Sequence, residues 1–386
     1  MPDRSVLLLS SKFGEGHLKA GEALTTIFER SNFAVRHLDF GALFFRKTDF
    51  VMRSAYMNMI RKTPRLWRLI YDKTSDSKLE GYNKIIHKIN SRDLLSYIRE
   101  SKPEAIVCTH FFPAGILSGM KRRGLLSVPL VTVVTDYLVH RIWASQGTDL
   151  YLVGCRDAYS RLVKAGIQSS KIKITGIPVR VCFEETYSKT VCKRRLQLDP
   201  EKLTVLIMGV TGIFARKKIA VLEALFNLAD TIPVQFVVIC GSDKESFAFL
   251  KCYADREHGI KILGYIENIH EYMAASDLII SKGGALTISE ALTIGLPVII
   301  YKPIPGHETG NAVFVEQGGA GKMISFDEEL VSQVAYLLSD QSKLTEMSLA
   351  ARNLVPRHSA ENGVKAILSL LPEGKCIREY QSKQTV

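Results

Sequence analysis

Two short stretches in the first half of this 386-residue chain carry residues that could move a proton. The first is Ser10-Ser11-Lys12-Phe13-Gly14-Glu15-Gly16-His17, which follows an apolar run and opens a helical pattern. Glycines in a strand-to-helix turn let backbone N–H groups approach a ligand closely, and the helix N-terminus adds positive potential. That potential disfavours an imidazolium and keeps His17 neutral, the state a general base needs. The second stretch is Val134-Thr135-Asp136-Tyr137, again at the end of an apolar run. Asp136 could orient such a base or accept the proton itself, although an aspartate that only caps the next element has the same signature. His140 and Trp143 follow closely and could line the same site.

The second half carries turns suited to phosphate and sugar. Met208-Gly209-Val210-Thr211-Gly212 is a small-residue turn after a strand-like run, able to approach a phosphate at Gly209 and Thr211. Ser281-Lys282-Gly283-Gly284-Ala285-Leu286-Thr287-Ile288-Ser289-Glu290 passes from a strand through a Gly-Gly turn into a helix. The first-turn N–H groups from Gly284 to Thr287 and the Thr287 hydroxyl could hold a diphosphate. Glu290 lies three residues beyond Thr287 on the same helix face, where its carboxylate could accept from both hydroxyls of a ribose. The loop Pro303-Ile304-Pro305-Gly306-His307-Glu308-Thr309-Gly310-Asn311 then offers polar side chains for sugar hydroxyls. A helix cap with an i,i+3 pair is the plainer account of the Gly-Gly segment. Both loops after successive strands together predict a nucleotide-sugar site. The dinucleotide fingerprint GxGxxG is absent.

The elements that must position these residues alternate. Apolar runs rich in β-branched residues read as buried parallel strands. Six lie in the first half, at 6–10, 35–40, 105–109, 130–135, 150–153 and 172–175. Six more lie at 205–208, 234–240, 260–263, 278–281, 298–301 and 322–324, with helical stretches between them such as 17–30, 219–228 and 286–294. Alternating β and α implies parallel sheets covered on both faces. Twelve strands are many for one sheet, so the expected fold is α/β, two doubly wound Rossmann-like domains facing a cleft. The expected boundaries are 1–180 for an acceptor and membrane domain, 200–355 for the nucleotide-sugar domain, and 356–386 for a helix and tail packing back on the first.

Composition limits the function classes. Apolar residues make up 46% and charged residues 23%, ordinary globular usage that excludes wholesale disorder. The longest stretch free of Asp, Glu, Lys and Arg, residues 105–120, is too short to span a bilayer. The seven cysteines show no CxxC spacing, which predicts a reducing cytoplasm and no metal site. The net charge of +12 is uneven: residues 1–180 hold 29 Lys/Arg against 15 Asp/Glu, and residues 181–386 hold 22 against 24. Much of the excess falls in residues 44–73, where eight Lys/Arg are interleaved with Tyr56, Trp67 and other bulky apolar residues. A basic amphipathic helix on an anionic membrane surface fits this pattern, with about 1 kcal/mol for each basic residue near the surface. An ordinary amphipathic helix with a solvated basic face fits it too. No nucleic-acid reading motif accompanies the charge, so nucleic acid is not an expected partner.

Taken in order, FGEGH, THFFPAG, VTDY, TGIPV, ICGSD, LGYIENIHEYMAASDLIISK, SKGGALTISEAL and GLPVIIYKPIPGHETGNAVFVEQGGAG resemble the GT-B glycosyltransferases that act on diacylglycerol. These are the monogalactosyldiacylglycerol synthases and the bacterial processive diacylglycerol glucosyltransferases. The resemblance covers most of the chain. The transferase that completes lipid II shares the ALTISE element and is a relative. The resemblance implies inverting hexosyl transfer from a UDP-sugar, glucose favoured, to diacylglycerol, in one round or several, by a peripheral enzyme on the cytoplasmic membrane face. It implies His17 or Asp136 as the base. Gly209, Thr211 and Gly284, Ala285, Leu286 and Thr287 would lie at the diphosphate, Glu290 at the ribose, and Tyr265 and Ile266 at the uracil. His307, Glu308 and Asn311 would lie at the hexose, with His307 standing where the family usually carries Gln. Phe13, Gly14, Arg53, Tyr56, Arg61, Arg65, Trp67 and Arg68 would meet the acceptor or the membrane. No cofactor and no metal is expected. Three alternatives share these residues: a polyprenyl-linked acceptor, a sugar-nucleotide epimerase, and a non-enzymatic sensor of UDP-sugar and membrane.

Overall fold

A computed structural model describes residues 4–11, 15–44, 92–209, 219–254 and 259–371. Two compact units make up the chain: Met1–Val181 with Pro305–His307 and Pro356–Val386, and Cys182–Ile304 with Glu308–Val355.

Each unit is built on a parallel sheet of six strands. In the first unit these are β1 (Ser5–Ser10), β2 (Ala34–Asp39), β3 (Ala105–Cys108), β4 (Leu130–Val133), β5 (Leu150–Val153) and β6 (Ile172–Ile174). In the second they are β7 (Leu203–Met208), β8 (Val234–Ile239), β9 (Ile260–Leu263), β10 (Leu278–Ser281), β11 (Val298–Tyr301) and β12 (Gly321–Ile324). All twelve runs read from the sequence are strands, shifted at their ends by at most two residues. The helices that bear on function are α1 (Gly16–Arg30), α2 (Phe111–Arg122), α3 (Ala285–Ile294), α4 (His307–Gln317) and α5 (Ser359–Leu368).

Strand side chains alternate between the faces of a sheet, and in the first unit both faces are covered. Val6 and Leu8 of β1 enter one core with Ala23, Leu24 and Ile27 of α1. Leu7 and Leu9 enter the opposite core with Ala114 and Leu117 of α2. Double coverage is why these runs are apolar throughout instead of alternating. Helix α5 belongs to the first of these cores through Ala360, Val364 and Ile367. Ser359 at its start accepts a hydrogen bond from the Val179 amide, 3.2 Å away.

The two sheets differ in strand order. The first runs β2-β1-β3-β4-β5-β6 and the second β12-β11-β10-β7-β8-β9. Numbered within its own unit, the second has the order 3-2-1-4-5-6 of dinucleotide-binding folds, whereas the first begins 2-1-3-4-5, the flavodoxin-like order. The Rossmann-like expectation thus holds closely for the second unit and more loosely for the first. In such sheets a crevice opens at the carboxyl ends where the winding direction reverses. That point lies between β1 and β3 in the first unit and between β7 and β10 in the second.

Candidate active site and donor site

In the first unit three strand ends converge on one imidazole. β1 ends at Ser10, β3 is followed by Thr109, and β4 is followed by Val134 and Thr135. His17 is the second residue of α1 and is half-buried. Its Nδ1 lies 2.9 Å from the Thr109 carbonyl oxygen and 2.8 Å from Thr135 Oγ1. A carbonyl can only accept, so Nδ1 carries the proton and Nε2 presents its lone pair. The backbone of His17 is held as well: its carbonyl accepts from Thr109 Oγ1 at 2.9 Å and Ser10 Oγ at 3.2 Å. Ser10 Oγ is also 2.7 Å from His37 Nε2. Gly21 of α1 leaves room for that ring, since a β-carbon there would come within 2.6 Å of it.

Burial holds the His17 pKa below its ordinary value, and the negative charge of Asp136 pulls in the opposite direction. His17 is thus held towards its neutral form, with burial as the leading cause where the helix N-terminus was expected. Asp136 is half-buried, and its Oδ2 accepts from Trp143 Nε1 at 3.2 Å. Its carboxylate therefore acts on His17 through charge, and the hydrogen bonds that orient the ring come from Thr109 and Thr135. His110 packs edge-on against His17 with centroids 4.6 Å apart. Its own Nδ1 accepts from the Phe112 amide at 3.2 Å and caps α2. The ring of the buried Trp143 lies 6.4 Å, centroid to centroid, from that of His17. Thr109, Thr135 and His37 were not singled out by the sequence reading. The available signal was a hydroxyl residue closing each of three apolar runs.

In the second unit several residues expected at the donor follow the carboxyl ends of strands. Gly209 follows β7 at φ +65°, with open space where a β-carbon would point. Gly283 follows β10 at φ +102°, and a β-carbon there would come within 2.8 Å of Ile300 Cγ2. Only glycine satisfies both its dihedral and its packing. Gly284 caps α3, has φ −60°, and points its missing β-carbon into open space. Ala285, Leu286 and Thr287 form the first turn of α3, where N–H groups have no partner within the helix. The first turn contains no acidic side chain. Glu290 lies one turn on and is buried. Tyr265, after β9, is 64% exposed, and Ile266 beside it is half-buried.

The loop after β11 is closed by Glu308, whose Oε2 accepts from the Ile304 amide at 2.7 Å. Asn311, expected at the hexose, makes a contact within the fold. It is fully buried, and its Nδ2 donates to the Gly283 carbonyl oxygen at 3.1 Å. The side chain read as a hexose contact braces the Gly-Gly turn, because α4 packs against that turn. His307 opens α4, is half-buried, and is grouped with the first unit. Thr211, Phe13, Gly14, Arg53, Tyr56, Arg61, Arg65, Trp67 and Arg68 lie outside the described residues. No helix among the described residues is long and apolar enough to cross a membrane.

Comparison with known proteins adds three findings. The profile of the monogalactosyldiacylglycerol (MGDG) synthase family matches residues 17–179, and that of the glycosyltransferase family 28 C-terminal domain matches residues 204–367. A processive diacylglycerol beta-glucosyltransferase of Bacillus licheniformis is 31% identical over 100% of this chain and 98% of its own length. The Bacillus subtilis protein of the same name is also 31% identical, over 100% of this chain and 99% of its own. Among solved structures, Acinetobacter baumannii MurG superposes with a TM-score of 0.64 at 19% identity, covering 95% of this chain and 99% of that one, which shows the shared GT-B fold. By this end-to-end similarity, the chain belongs to the diacylglycerol glycosyltransferase family that includes the processive diacylglycerol beta-glucosyltransferases.

Proposed function

We propose that this protein transfers a hexose, glucose in preference to galactose, from a UDP-sugar to the free hydroxyl of diacylglycerol. The single observation that carries the reading is the 31% identity, from end to end, to enzymes named for that reaction. The site chemistry agrees with it. His17 Nε2 removes the hydroxyl proton as the acceptor oxygen bonds to the anomeric carbon. The bond from that carbon to the β-phosphate oxygen breaks, and its electron pair leaves with UDP. Displacement in one step inverts the anomeric configuration. The second unit supplies the donor site, with the α3 N-terminus stabilising the charge that develops on the diphosphate. No metal takes part in this scheme.

The acceptor is a membrane lipid, so the reading places the protein on the cytoplasmic face of the membrane. The basic excess of residues 1–180, concentrated in 44–73, would hold it against anionic lipid. To test the reaction, purified protein is incubated with diacylglycerol in anionic liposomes and with UDP-glucose, UDP-galactose or UDP-N-acetylglucosamine separately. Lipid products are read by mass spectrometry. Hexosyl-diacylglycerol from UDP-glucose is the expected product. No glycolipid from any donor, with UDP-sugar binding intact, would refute the diacylglycerol reading and redirect the search to a polyprenyl-linked acceptor.

A further inference from the structure

We infer that Thr135 is a positioning residue for the reaction, fixing together with the Thr109 carbonyl the tautomer and the ring plane of His17 in the place where a carboxylate would be expected. The inference rests on the reading of His17 as the base and adds what holds it in working form.

Three observations carry it. First, Nδ1 of His17 has two oxygens within hydrogen-bond distance, the Thr109 carbonyl at 2.9 Å and Thr135 Oγ1 at 2.8 Å, and one N–H to share between them. The Thr135 hydroxyl has its own acceptor in the Thr109 carbonyl, 3.5 Å away, which leaves a lone pair of Oγ1 turned to His17. Second, Thr135 is buried, only 6% exposed, so its hydroxyl is held by the fold and not by solvent. Third, the nearby carboxylate has another partner: Asp136 Oδ2 accepts from Trp143 Nε1. Adjacent residues have therefore divided two tasks that one carboxylate often combines. Thr135 orients the ring, and Asp136 supplies charge.

The clamp is also complete on the backbone side. Thr109 Oγ1 and Ser10 Oγ hold the His17 carbonyl, so the main chain cannot swing to compensate for a loosened ring. What remains to be fixed is rotation of the imidazole about its side-chain bonds. Two acceptors on Nδ1 restrict that rotation where one would leave a cone of orientations. An uncharged clamp has a further consequence. A carboxylate on Nδ1 would add a full charge favouring the imidazolium, whereas a neutral oxygen raises the pKa less and leaves burial to keep the ring neutral.

The experiment compares Thr135→Val, Thr135→Ser and Thr135→Ala in the full-length protein, with His17→Ala alongside. Turnover is measured with UDP-glucose and diacylglycerol in anionic vesicles, and the imidazole nitrogens of ¹⁵N-His protein are followed by NMR. Valine matches threonine in shape, so Thr135→Val should lower kcat about 10- to 100-fold with KM for both substrates within twofold. Thr135→Ser should recover most of the loss, because it restores Oγ. In Thr135→Val the His17 resonances should move from a single Nδ1–H form towards a mixture of tautomers. If valine does not fold, alanine against serine gives the same contrast, with unfolding midpoints measured for each. Unchanged kcat and unchanged ¹⁵N shifts in Thr135→Val, with His17→Ala inactive, would overturn the positioning role and leave the base in place. Full turnover in His17→Ala would overturn the base reading itself, and the ¹⁵N shifts would still report whether Thr135 holds the ring.

Discussion

The two units solve different problems at the same place in a sheet. In each, the residues of interest stand at or next to the carboxyl ends of the strands that flank the reversal of winding. These are β1 and β3 in the first unit, with Thr135 after the neighbouring β4, and β7 and β10 in the second, with Asn311 after the neighbouring β11. The first unit uses side chains there. Hydroxyls of Ser10, Thr109 and Thr135 hold one imidazole at its backbone and its ring. The second unit uses backbone. Gly283 at φ +102° turns the chain into α3, whose first-turn N–H groups have no partner within the helix, and the Asn311 amide bonds the turn at the Gly283 carbonyl. A proton-transfer group must be held to a fraction of an ångström by directional contacts. A diphosphate is held by several equivalent donors and a dipole, and what matters most is that nothing bulky lies in the way. On the proposed function, the difference in residue type follows from the difference in task.

The comparison breaks most visibly if the first unit is not where the proton moves. His17→Ala should lower kcat by about 10²- to 10⁴-fold, the range of general-base contributions. Binding of UDP, measured by calorimetry, should be unchanged, because His17 and the donor turn belong to separate units. A comparable loss of UDP affinity would mean that the division of labour is wrong.

The glycine pair sharpens the second half of the comparison. Gly283→Ala forces a side chain into the left-handed region and against Ile300, at a cost of about 1–3 kcal/mol from the backbone alone. A fall in unfolding temperature and a large loss of UDP affinity should appear together. Gly284→Ala meets neither obstacle, since its φ is −60° and nothing lies within 4 Å of the added carbon. Its unfolding temperature should match wild type, so any loss of UDP affinity, expected to be about tenfold, reports a ligand lying against the turn. Wild-type affinity in Gly284→Ala would remove the diphosphate from this turn.

Asn311→Ala tests whether the side chain braces or reads sugar. Removing its amide leaves the buried Gly283 carbonyl without that donor, worth about 1–3 kcal/mol. Stability and affinity for every UDP-sugar should fall together, with the preference between UDP-glucose and UDP-galactose intact. A changed preference would restore Asn311 as a sugar contact.

Much of this was legible in the sequence, for a physical reason. The central strands are buried on both faces and are continuous apolar runs. The edge strands β2, β6, β9 and β12 are less buried but short and rich in β-branched or aliphatic residues, and the residues ending the runs were candidates by position. Strand order was not legible, because β1 carries the same kind of apolar run whether it pairs with β2 and β3 or with others. Thr135 was passed over for its neighbour Asp136, because a hydroxyl at a strand end is common and a carboxylate stands out. The polarity of Asn311 suggests a ligand contact, and only packing shows that its amide also reaches the Gly283 carbonyl. Lys302 at φ +49° left no mark in the sequence either. It is held at the end of β11 by an ion pair with Asp327.

The smallest effect expected is a shift in pH, and it decides between His17 and Asp136. His17 works only when neutral, so activity is lost as pH falls through its pKa. Burial lowers that pKa, so the acid limb of kcat/KM should lie below the ordinary imidazole value of about 6.5. The charge of Asp136 works against burial and raises the His17 pKa. Asp136→Asn removes that charge, so the limb should move to still lower pH while the plateau rate falls only modestly. Were Asp136 the base, the same substitution would abolish the plateau by the factor predicted for His17→Ala, and no movement of the limb could be measured. A limb that moves to higher pH would contradict both assignments, since a lost negative charge cannot make a neighbouring imidazole easier to protonate.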